Sequence, residues 1–482
     1  MVLTPAFVAE LARIVGPDGL VTTPEGRLTY EADMHTFYKA APDVVVLPQT
    51  TAQAVELVRL CRRERVAMIP RGSGTGLIGG ATAPYGGVMV ATTRMNLILE
   101  IDLPNRCAVV QPGLINLWLT NAIRDQGYFF APDPSSQMVS SIGGNASTNA
   151  GGPHCLKYGI TVNHILGLEL VTGMGELVRL GGKVQSRPGY DLTGVTVGSE
   201  GTFGLITAVT VRLLHTPEGV KTALAAFSSI DEASEAVSAI IAAGITPAAL
   251  EMLDEIVTRA INQGVGAGYP ENARAVLLIE LDGPLAEIEV QARRVSDICQ
   301  EHRALEIRIA RDEAERTLLW KGRKEAAGVF GRVTRNWLLQ DAVVPRSKLP
   351  AIMREMAAIS ARHGIRVANV FHAGDGNLHP LILYDERQPG ERERAVGVNE
   401  ELLAACIAMG GSVTGEHGVG LDKAKNLPKQ YRPADLGFMA RLRRVFDPDS
   451  LMNPGKLLPS HPACGEAFQA SRPTQIPEGA WV

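Results

Sequence analysis

Several kinds of site that depend on cysteine or on clustered positive charge are missing from this sequence. Its six cysteines lie far apart and form no C-x-x-C pair, which argues against a zinc ribbon, a thioredoxin-like site or an iron–sulfur cluster in the chain. No tract of clustered lysine and arginine occurs, and the formal net charge is −4. Proteins that bind duplex nucleic acid usually carry a basic face, so we expect no nucleic-acid partner. Dispersed thiols are typical of a reducing compartment.

The sequence also has little that could enter a membrane. The uncharged stretch from Val237 to Leu250 is too short for a bilayer and contains a glycine and a proline. The first residues are typical of an amphipathic helix that Thr4 caps and Gly16 ends, and Glu10 interrupts the apolar core that a signal peptide needs. The sequence therefore predicts a cytoplasmic protein, attached at most peripherally to the inner face of the cytoplasmic membrane.

What the chain does have is the length of two or three domains and an excess of glycine. It contains 50 glycines in 482 residues, whereas ordinary usage of ~7% would give about 34. Up to about residue 215, short β-branched strands alternate with glycine-rich turns. From about residue 221, long amphipathic helices alternate with strands. This change predicts an α+β protein with a linker near residues 216–222.

The spacing of the apolar residues along the chain predicts the individual strands and helices. The predicted strands are residues 43–48, 66–70, 87–93, 107–113, 166–172, 205–214, 275–283, 366–372 and 378–384. The predicted helices are residues 5–15, 51–64 with Thr51 as the cap, 231–243, 285–302, 312–324, 349–363 and 398–409.

The first glycine-rich loop, residues 70–80, follows a predicted strand. Glycines let backbone N–H groups approach an anion closely, and Gly74, Gly76 and Gly79 form a G-x-G-x-x-G pattern. A Rossmann site needs a helix to begin directly after such a loop, whereas Pro84 and another strand follow here. By itself the loop is either a phosphate-binding loop or a structural turn.

Two further loops of small residues, 140–152 and 198–204, make a purely structural explanation weaker. Ordering several glycine-rich loops costs conformational entropy, which a ligand or dense hydrogen bonding must offset. The three loops together predict an extended, phosphate-bearing cofactor.

Four segments carry a family resemblance: PRGSGTGLIGGA, PDPSSQ, SIGGNASTNAGGPHCLKYG and VGSEGTFGLIT. They resemble the flavin-binding half of the vanillyl-alcohol-oxidase-type (PCMH-type) flavoproteins. Within these, residues 30–458 are most similar to the branch of the bacterial glycolate oxidase FAD subunits and the D-lactate and D-2-hydroxyglutarate dehydrogenases. The resemblance implies an α+β fold with a bipartite PCMH-type FAD-binding domain over residues 1–217 (core about 38–217). An FAD-linked oxidase C-terminal substrate domain would cover residues 218–458, its end returning towards the flavin, and residues 459–482 would form a tail.

The same resemblance implies the residues that bind FAD. Those at the diphosphate would be Arg71, Gly72, Ser73, Gly74, Thr75, Gly76, Gly79 and Gly80. Those along the rest of the cofactor would be Pro132, Ser141, Gly143, Gly144, Asn145, Asn149, Gly151, Ile206 and Asn453. Asn453 lies in an Asn-Pro-Gly segment that is equally a simple turn. Some family members bond the flavin to a histidine, which the first loop lacks, so we expect non-covalent FAD.

A candidate metal site lies in the second half. Residues 367–380 predict a strand, a Gly-Asp-Gly-Asn turn and a return strand, so His372 and His379 flank one hairpin. The loop around Glu416 can supply a carboxylate, and two histidines with one carboxylate are a catalytic metal set. The resemblance assigns these three residues as ligands of a divalent metal, zinc or manganese. The alternatives are histidines that only bond the backbone and a glutamate that caps a helix.

Oxidation of a hydroxy acid needs a cation for the carboxylate, a base for the hydroxyl and a hydride acceptor. The planar guanidinium of Arg323 suits a carboxylate, although a solvated helix arginine is the ordinary reading. The resemblance makes Arg323 the substrate arginine, and His417 would be the general base unless it is a core histidine. Hydride would pass to flavin N5.

The predicted substrate is small. Where dicarboxylate-using relatives carry polar residues, this chain has Ala327, Leu339 and Leu381, and none can pair a second carboxylate. We therefore expect oxidation of a small D-2-hydroxy acid, glycolate or D-lactate. The alternatives are a stand-alone D-2-hydroxyglutarate dehydrogenase and a non-catalytic flavin-binding scaffold. Because the chain has no cysteine-rich cluster, the resemblance implies a separate iron–sulfur subunit that feeds the quinone pool, with a second flavin-domain subunit as a further partner.

Overall fold

The structure is a computed structural model that describes residues 3–184, 188–329, 331 and 333–459. The predicted tail beyond Pro459, with Cys464, lies outside the described residues. The described cysteines are free thiols, and all of them except Cys155 are buried. Among the described residues, no helix combines the length and the apolar character that crossing a bilayer requires.

The strands follow one another along the chain as β1 (Leu20–Val21), β2 (Val44–Val46), β3 (Met68–Arg71), β4 (Val88–Ala91), β5 (Ile98–Asp102), β6 (Cys107–Val110), β7 (Tyr128–Phe129), β8 (Ile165–Thr172), β9 (Leu177–Gly181), β10 (Gly204–Arg212), β11 (Leu214–His215), β12 (Gly219–Phe227), β13 (Ala249–Asp254), β14 (Ala275–Gly283), β15 (Glu306–Ile309), β16 (Asn336–Leu339), β17 (Ala342–Val343), β18 (Arg366–His372), β19 (Asn377–Leu378) and β20 (Pro380–Tyr384).

The α-helices are α1 (Pro5–Val15), α2 (Pro24–Leu28), α3 (Thr51–Arg63), α4 (Asn116–Ile123), α5 (Ile142–Thr148), α6 (Cys155–Tyr158), α7 (Leu192–Thr196), α8 (Ile230–Ala242), α9 (Glu255–Gly264), α10 (Leu285–Glu301), α11 (Glu313–Lys324), α12 (Ala326–Val329), α13 (Leu349–His363), α14 (Glu391–Ala408), α15 (Leu427–Gln430) and α16 (Pro433–Phe446).

The described chain divides into two compact units. The first is drawn from Met1–Ala150, Ile160–His215 and His417–Val482, and the second from Gly151–Gly159 and Thr216–Glu416. Each unit therefore contains a segment that is distant in the sequence from its main part. The domain bounds predicted above, 1–217 and 218–458, remain a prediction.

The first unit contains a mainly parallel sheet and an antiparallel sheet. The first sheet has the strand order β1-β2-β4-β3, in which β2, β4 and β3 run parallel. Its apolar strands are buried, as parallel strands covered on both faces usually are. The second sheet has the order β5-β6-β10-β8-β9 with antiparallel pairing. Side chains of α1, α3, β2, β4 and β8 share one apolar core.

The second unit is built on an antiparallel sheet in the order β15-β12-β14-β13-β18-β19-β17, and β20 pairs with both β18 and β16. Strand β13 lies between β14 and β18 and is buried along its whole length. Its apolar side chains share a core with α9, α11 and β20. The sheet therefore holds the residues of β13 and β18 in a fixed register.

The predicted elements are largely confirmed, with four corrections. Thr50 caps α3, where Thr51 was predicted, because the Thr50 hydroxyl accepts from the Gln53 N–H at 3.2 Å. Helix α14 begins at Glu391, seven residues before the predicted start at Val398. The second glycine loop contains α5, and strand β13 was not predicted at all.

Candidate functional site

The first glycine loop, residues 70–80, connects β3 to β4 without an intervening helix, which excludes the Rossmann arrangement. It lies against the second loop: a Cβ atom added to Gly72 would stand 2.3 Å from Oγ of Ser141 and 3.5 Å from Cα of Gly144. Gly74 has a φ of +75°, which residues with a side chain rarely adopt. Close packing and backbone conformation thus both require glycine in this loop.

The third loop, residues 198–204, completes the cluster. The Glu200 N–H donates to the Ser147 carbonyl of the second loop at 2.8 Å. A Cβ atom on Gly201 would lie 3.1 Å from the Pro70 side chain, at the start of the first loop. The first and third loops and residues 140–150 of the second loop are therefore packed together within the first unit.

The first loop has the properties of an anion cradle. Within the described part of the chain, the backbone N–H groups of residues 73–80 donate no hydrogen bond. Successive free N–H groups form a concavity suited to phosphate oxygens. The buried guanidinium of Arg71 adds positive charge, donating to the Ala81 carbonyl at 3.1 Å and lying 5.5 Å from the Tyr30 ring centroid. The cradle consists of Arg71, Gly72, Ser73, Gly74, Thr75, Gly76, Gly79 and Gly80. These residues fit the diphosphate of FAD.

In the second loop, two of the predicted FAD residues stabilise α5. The Ser141 hydroxyl accepts from the Gly144 N–H at 3.3 Å at the start of the helix. Asn149 ends the helix with a φ of +54°, and its Oδ1 accepts from the Val162 N–H at 2.9 Å. Gly143 packs so closely that a Cβ atom there would lie 2.4 Å from Pro112. These contacts fix the shape of the loop.

Asn116, which the sequence analysis missed, connects two more predicted FAD residues. Its Nδ2 donates to the Pro132 carbonyl at 3.0 Å and to Oδ1 of Asn145 at 3.2 Å. Both asparagines are buried. Asn116 is the first residue of α4, and nothing in its sequence neighbourhood distinguishes it from an ordinary helix-start asparagine.

The segment around Asn453 returns to the loops. A backbone bridge joins Met452 to Met68 of β3. The Asn453 amide donates to the Gly80 carbonyl of the first loop at 3.1 Å and to the Glu200 carbonyl of the third at 2.7 Å. Asn453 thus ties two of the glycine loops together, which goes beyond a simple turn.

Next to Asn453 lies a buried lysine. Lys456 is 0% exposed, and its Nζ donates to the Thr82 carbonyl at 2.8 Å and to Oδ1 of Asn453 at 3.0 Å. Burial lowers the pKa of Lys456 to about 7. Burial also raises the pKa of Glu200, although its carboxylate accepts from two backbone N–H groups of the segment after His417.

Two predicted FAD residues remain. Ile206 is buried in the apolar core beneath β10. Gly151 belongs to the second unit, where a Cβ atom on it would stand 2.2 Å from Oε2 of Glu416 and 3.2 Å from Sγ of Cys155. Its lack of a side chain therefore makes room for the Glu416 carboxylate.

The candidate metal ligands converge in the second unit. His372 ends β18, the chain turns through residues 373–376, and His379 lies between the short return strand β19 and β20. The two imidazoles lie 5.1 Å apart between ring centroids. Oε1 of Glu416 is 3.2 Å from Nε2 of His372 and 3.3 Å from Nε2 of His379.

A buried aspartate holds the loop that carries Glu416. The Asp341 carboxylate accepts from the backbone N–H groups of Gly415 and Glu416, both at 3.1 Å, and from the Thr414 hydroxyl at 2.5 Å. Asp341 lies just after β16 and is 0% exposed. Nothing in its local sequence identifies Asp341 as part of the site, because its partners are more than seventy residues away.

A second buried carboxylate joins the metal candidates to the substrate candidate. Glu251 of β13 accepts from Nδ1 of His372 at 2.8 Å and from Nε of Arg323 at 2.6 Å. Glu251 is 0% exposed, and the Arg323 side chain is 6% exposed, so Arg323 is not a solvated helix residue. Burial alone would raise the pKa of Glu251, but the charges of Arg323 and His372 outweigh it and hold this pKa below its ordinary value.

The donor set fits a divalent cation. Since ionised Glu251 accepts the Nδ1 hydrogen of His372, Nε2 is left to face the Glu416 carboxylate. Burial lowers the pKa of His372, but Glu251 and Glu416 outweigh this effect and raise it well above its ordinary value. A positive charge is therefore favoured between these groups, and imidazole nitrogens with a carboxylate oxygen suit zinc or manganese.

The remaining candidates are placed as follows. His417 directly follows Glu416 and is half-buried. Leu339 and Leu381 are paired across β16 and β20; Leu381 is buried in the apolar core of the second unit, and the half-buried Leu339 packs against it. The side chain of Ala327 lies outside the described residues.

Comparison with known proteins gives matches over nearly the whole chain. Residues 42–181 match the model of an FAD binding domain, and residues 216–457 match that of the C-terminal domain of FAD linked oxidases. The glycolate oxidase subunit GlcD of Escherichia coli (strain K12) is 43% identical over 93% of this chain and 90% of its own length. A probable mitochondrial D-lactate dehydrogenase of Danio rerio is 33% identical over 94% of this chain and 91% of its own length.

Solved structures agree on the fold. A p-cresol methylhydroxylase with substrate bound superposes with a TM-score of 0.80 at 18% identity, covering 94% of this chain and 96% of that one. The matched models, the relatives and the fold lead to one assignment: the chain belongs to the family of FAD-linked oxidases and is an FAD-dependent oxidoreductase.

Proposed function

We propose that this chain is the FAD-binding catalytic subunit of a dehydrogenase that oxidises a small D-2-hydroxy acid, glycolate or D-lactate, to the 2-oxo acid. The observation that carries the proposal is the shared buried carboxylate Glu251, which places a guanidinium and a candidate metal ligand on one group. A hydroxy acid presents a carboxylate and a hydroxyl on adjacent carbons, and this pair of sites matches those two groups.

Each residue then has a defined task. Arg323 binds the substrate carboxylate through the N–H groups that Glu251 does not occupy, because a guanidinium has five donors. His372, His379 and Glu416 hold a divalent ion, and His417 accepts the hydroxyl proton as general base. When bound, FAD supplies a hydride acceptor and the divalent ion supplies a Lewis acid for the hydroxyl oxygen.

The cofactor is proposed to be held without a covalent bond. The candidate residues of the first and second loops are glycines, hydroxyl residues, asparagines and one arginine, which bind through hydrogen bonds and charge. Ile206 and Asn453 would contribute to the same cofactor site from β10 and from the C-terminal segment. Gly151 would leave room for the Glu416 carboxylate at the proposed metal centre.

A small monocarboxylate is favoured over a dicarboxylate. Leu381 lies in an apolar core and Leu339 packs against it, so neither offers a partner for a distal carboxylate, whose burial unpaired would be costly. Turnover with D-2-hydroxyglutarate but not with glycolate would contradict this choice.

We further propose that the chain works with partner subunits. GlcD of Escherichia coli is named a subunit of glycolate oxidase, which supports an assembly. Within the described residues the free cysteines are dispersed and mostly buried, so the electrons would leave through a separate iron–sulfur subunit, with a second flavin-domain subunit as a further partner. The assembly would lie in the cytoplasm, attached at most peripherally to the inner face of the cytoplasmic membrane.

The decisive experiment is anaerobic reduction of the bound flavin by a panel of D- and L-2-hydroxy acids, before and after treatment with a chelator. We expect glycolate or D-lactate to bleach the flavin absorbance and the chelator to abolish the effect. Bleaching that persists unchanged after chelation would remove the metal from the proposal. A flavin that stays oxidised with every acid would indicate a non-catalytic scaffold.

A further inference from the structure

Glu251 occupies an unusual position for an acidic residue. It lies in the middle of β13, which is buried along its whole length, and it is directly opposite His372 in the register of β13 and β18. Its carboxylate bonds to His372 on one side and to Arg323 of α11 on the other. Burying a charge of this kind is costly unless each oxygen is well bonded. The bonds to His372 and Arg323 must therefore offset the cost of burying the Glu251 carboxylate.

We propose that Glu251 is a positioning residue that holds His372 as a metal ligand and Arg323 as the binder of the substrate carboxylate at the same time. This inference rests on the function proposed above.

The contact with His372 explains the first task. A carboxylate that accepts the Nδ1 hydrogen fixes the tautomer and the ring orientation, so that Nε2 keeps its lone pair for a cation. Oε1 and Oε2 of Glu251 lie 2.8 and 3.0 Å from Nδ1, so both oxygens restrain the ring. Nε2 then faces the Glu416 carboxylate at 3.2 Å.

The contact with Arg323 explains the second task. Nε and Nη2 of Arg323 both lie 2.6 Å from Oε2 of Glu251, which fixes the plane of the guanidinium. Without Glu251, the buried guanidinium of Arg323 would lose this carboxylate partner, and its positive charge would add to that of the proposed divalent ion. A buried cation that loses its partner is strongly destabilised, so Glu251 keeps Arg323 in place beside the candidate metal ligands.

The second unit contains a natural control for a merely structural role. Glu280, on the neighbouring strand β14, is also buried and accepts from an arginine and a histidine: Arg316 at 3.0 Å and His154 at 3.1 Å. Neither of these partners belongs to the candidate ligand set. Removing the charge of Glu280 therefore tests the cost of losing a buried ion pair without disturbing the metal donors.

The experiment compares the full-length, FAD-loaded wild-type protein with E251Q, E251D and E280Q. Affinity for Mn²⁺ and for Zn²⁺ is measured by competition with a chelator, and KM and kcat for glycolate are measured separately. Losing a carboxylate behind a ligating histidine typically weakens metal affinity 10–100-fold, and we expect a loss on the order of 10–100-fold for E251Q. We also expect KM to rise in E251Q, a smaller loss of metal affinity in E251D, and metal affinity within about twofold of wild type in E280Q.

The outcomes separate this inference from the proposed function. If the wild-type protein binds the metal and E251Q binds it with the same affinity, the inference is overturned and the proposed function is not. Equal losses in E251Q and E280Q overturn it as well, because they indicate general destabilisation. A wild-type protein that binds neither ion overturns the proposed metal centre together with the inference. If E251Q does not fold, E251D decides: metal affinity and KM equal to those of wild type would exclude a positioning role.

Discussion

Glu251 and His372 face each other across adjacent antiparallel strands, with 2.8 Å between Oε1 and Nδ1. The pair places a negative charge behind the histidine, on the side away from Glu416. Arg323 bonds to the same carboxylate. Glu251 therefore contacts both the site proposed to hold the metal and the site proposed to hold the substrate.

The first prediction concerns Arg323. Replacing it in R323K keeps the positive charge beside Glu251 but removes the planar fork, so one ammonium must serve both Glu251 and the substrate. A hydrogen bond to a charged group contributes about 1.5–3 kcal/mol, so we expect KM for glycolate to rise on the order of 10–100-fold. Steady-state kinetics with glycolate measure this change.

The matched control is R316K on the same helix. Arg316 also pairs with a buried glutamate, Glu280, but lies outside the proposed substrate site. We expect its KM to stay within about twofold of wild type, since it only supports the fold. A similar rise of KM in both variants would argue that Arg323 has no direct role in binding substrate.

The second prediction concerns the anion cradle. In G74A, the added Cβ atom would lie 2.2 Å from Nη2 of Arg71, at a residue whose φ of +75° already disfavours a side chain. We expect the variant to fold but to be purified with much less FAD, because Arg71 must leave its position beside the free N–H groups. The ratio of flavin absorbance to protein absorbance measures the loss.

Gly127 offers the control for backbone strain alone. It has a φ of +77°, and a Cβ atom there would meet nothing within 4 Å. G127A and G74A should both lose about 1 kcal/mol of stability from the left-handed conformation. Only G74A should lose flavin, and equal flavin contents in the two variants would speak against the cradle.

The third prediction is a pH dependence of stability that arises from Lys456. Burial lowers its pKa from 10.5 to about 7. Between these values the unfolded chain holds a proton on the lysine that the folded protein has lost. The free energy of unfolding therefore rises with pH in this window, by up to about 1.4 kcal/mol per pH unit, and levels off towards pH 10.5.

The K456M variant isolates this contribution, since the other titrating groups are common to both proteins. Urea unfolding of both proteins at pH 7, 8 and 9 should show wild type gaining stability relative to K456M at each step. A constant difference across the three pH values would mean that the ammonium of Lys456 is not deprotonated in the folded protein.

The local sequence pattern was sufficient to predict most of the helices and strands. Strands β14 and β18 have the predicted bounds, and α1 begins after Thr4 and ends before Gly16 as predicted. Apolar periodicity and caps act within a few residues, which is why such elements can be inferred from sequence. The cap of α3 was displaced by one residue because two threonines stand side by side and either hydroxyl could serve.

Strand β13 was missed because its sequence has no alternation of apolar and polar residues. A strand buried on both faces gives no such signal, and Glu251 looks like the charged residue that ends an apolar run. Its partners Arg323 and His372 are 72 and 121 residues away along the chain.

The sequence by itself determined the chemistry this protein can use. Glycine runs supply free backbone donors, and paired histidines with a glutamate supply metal donors, because these properties belong to residue types and short spacings. Only the tertiary structure decided how the donors are held. The burial of Lys456 beside Asn453, the aspartate behind the Glu416 loop and the carboxylate shared by Arg323 and His372 arise from packing between distant segments, which local pattern does not encode.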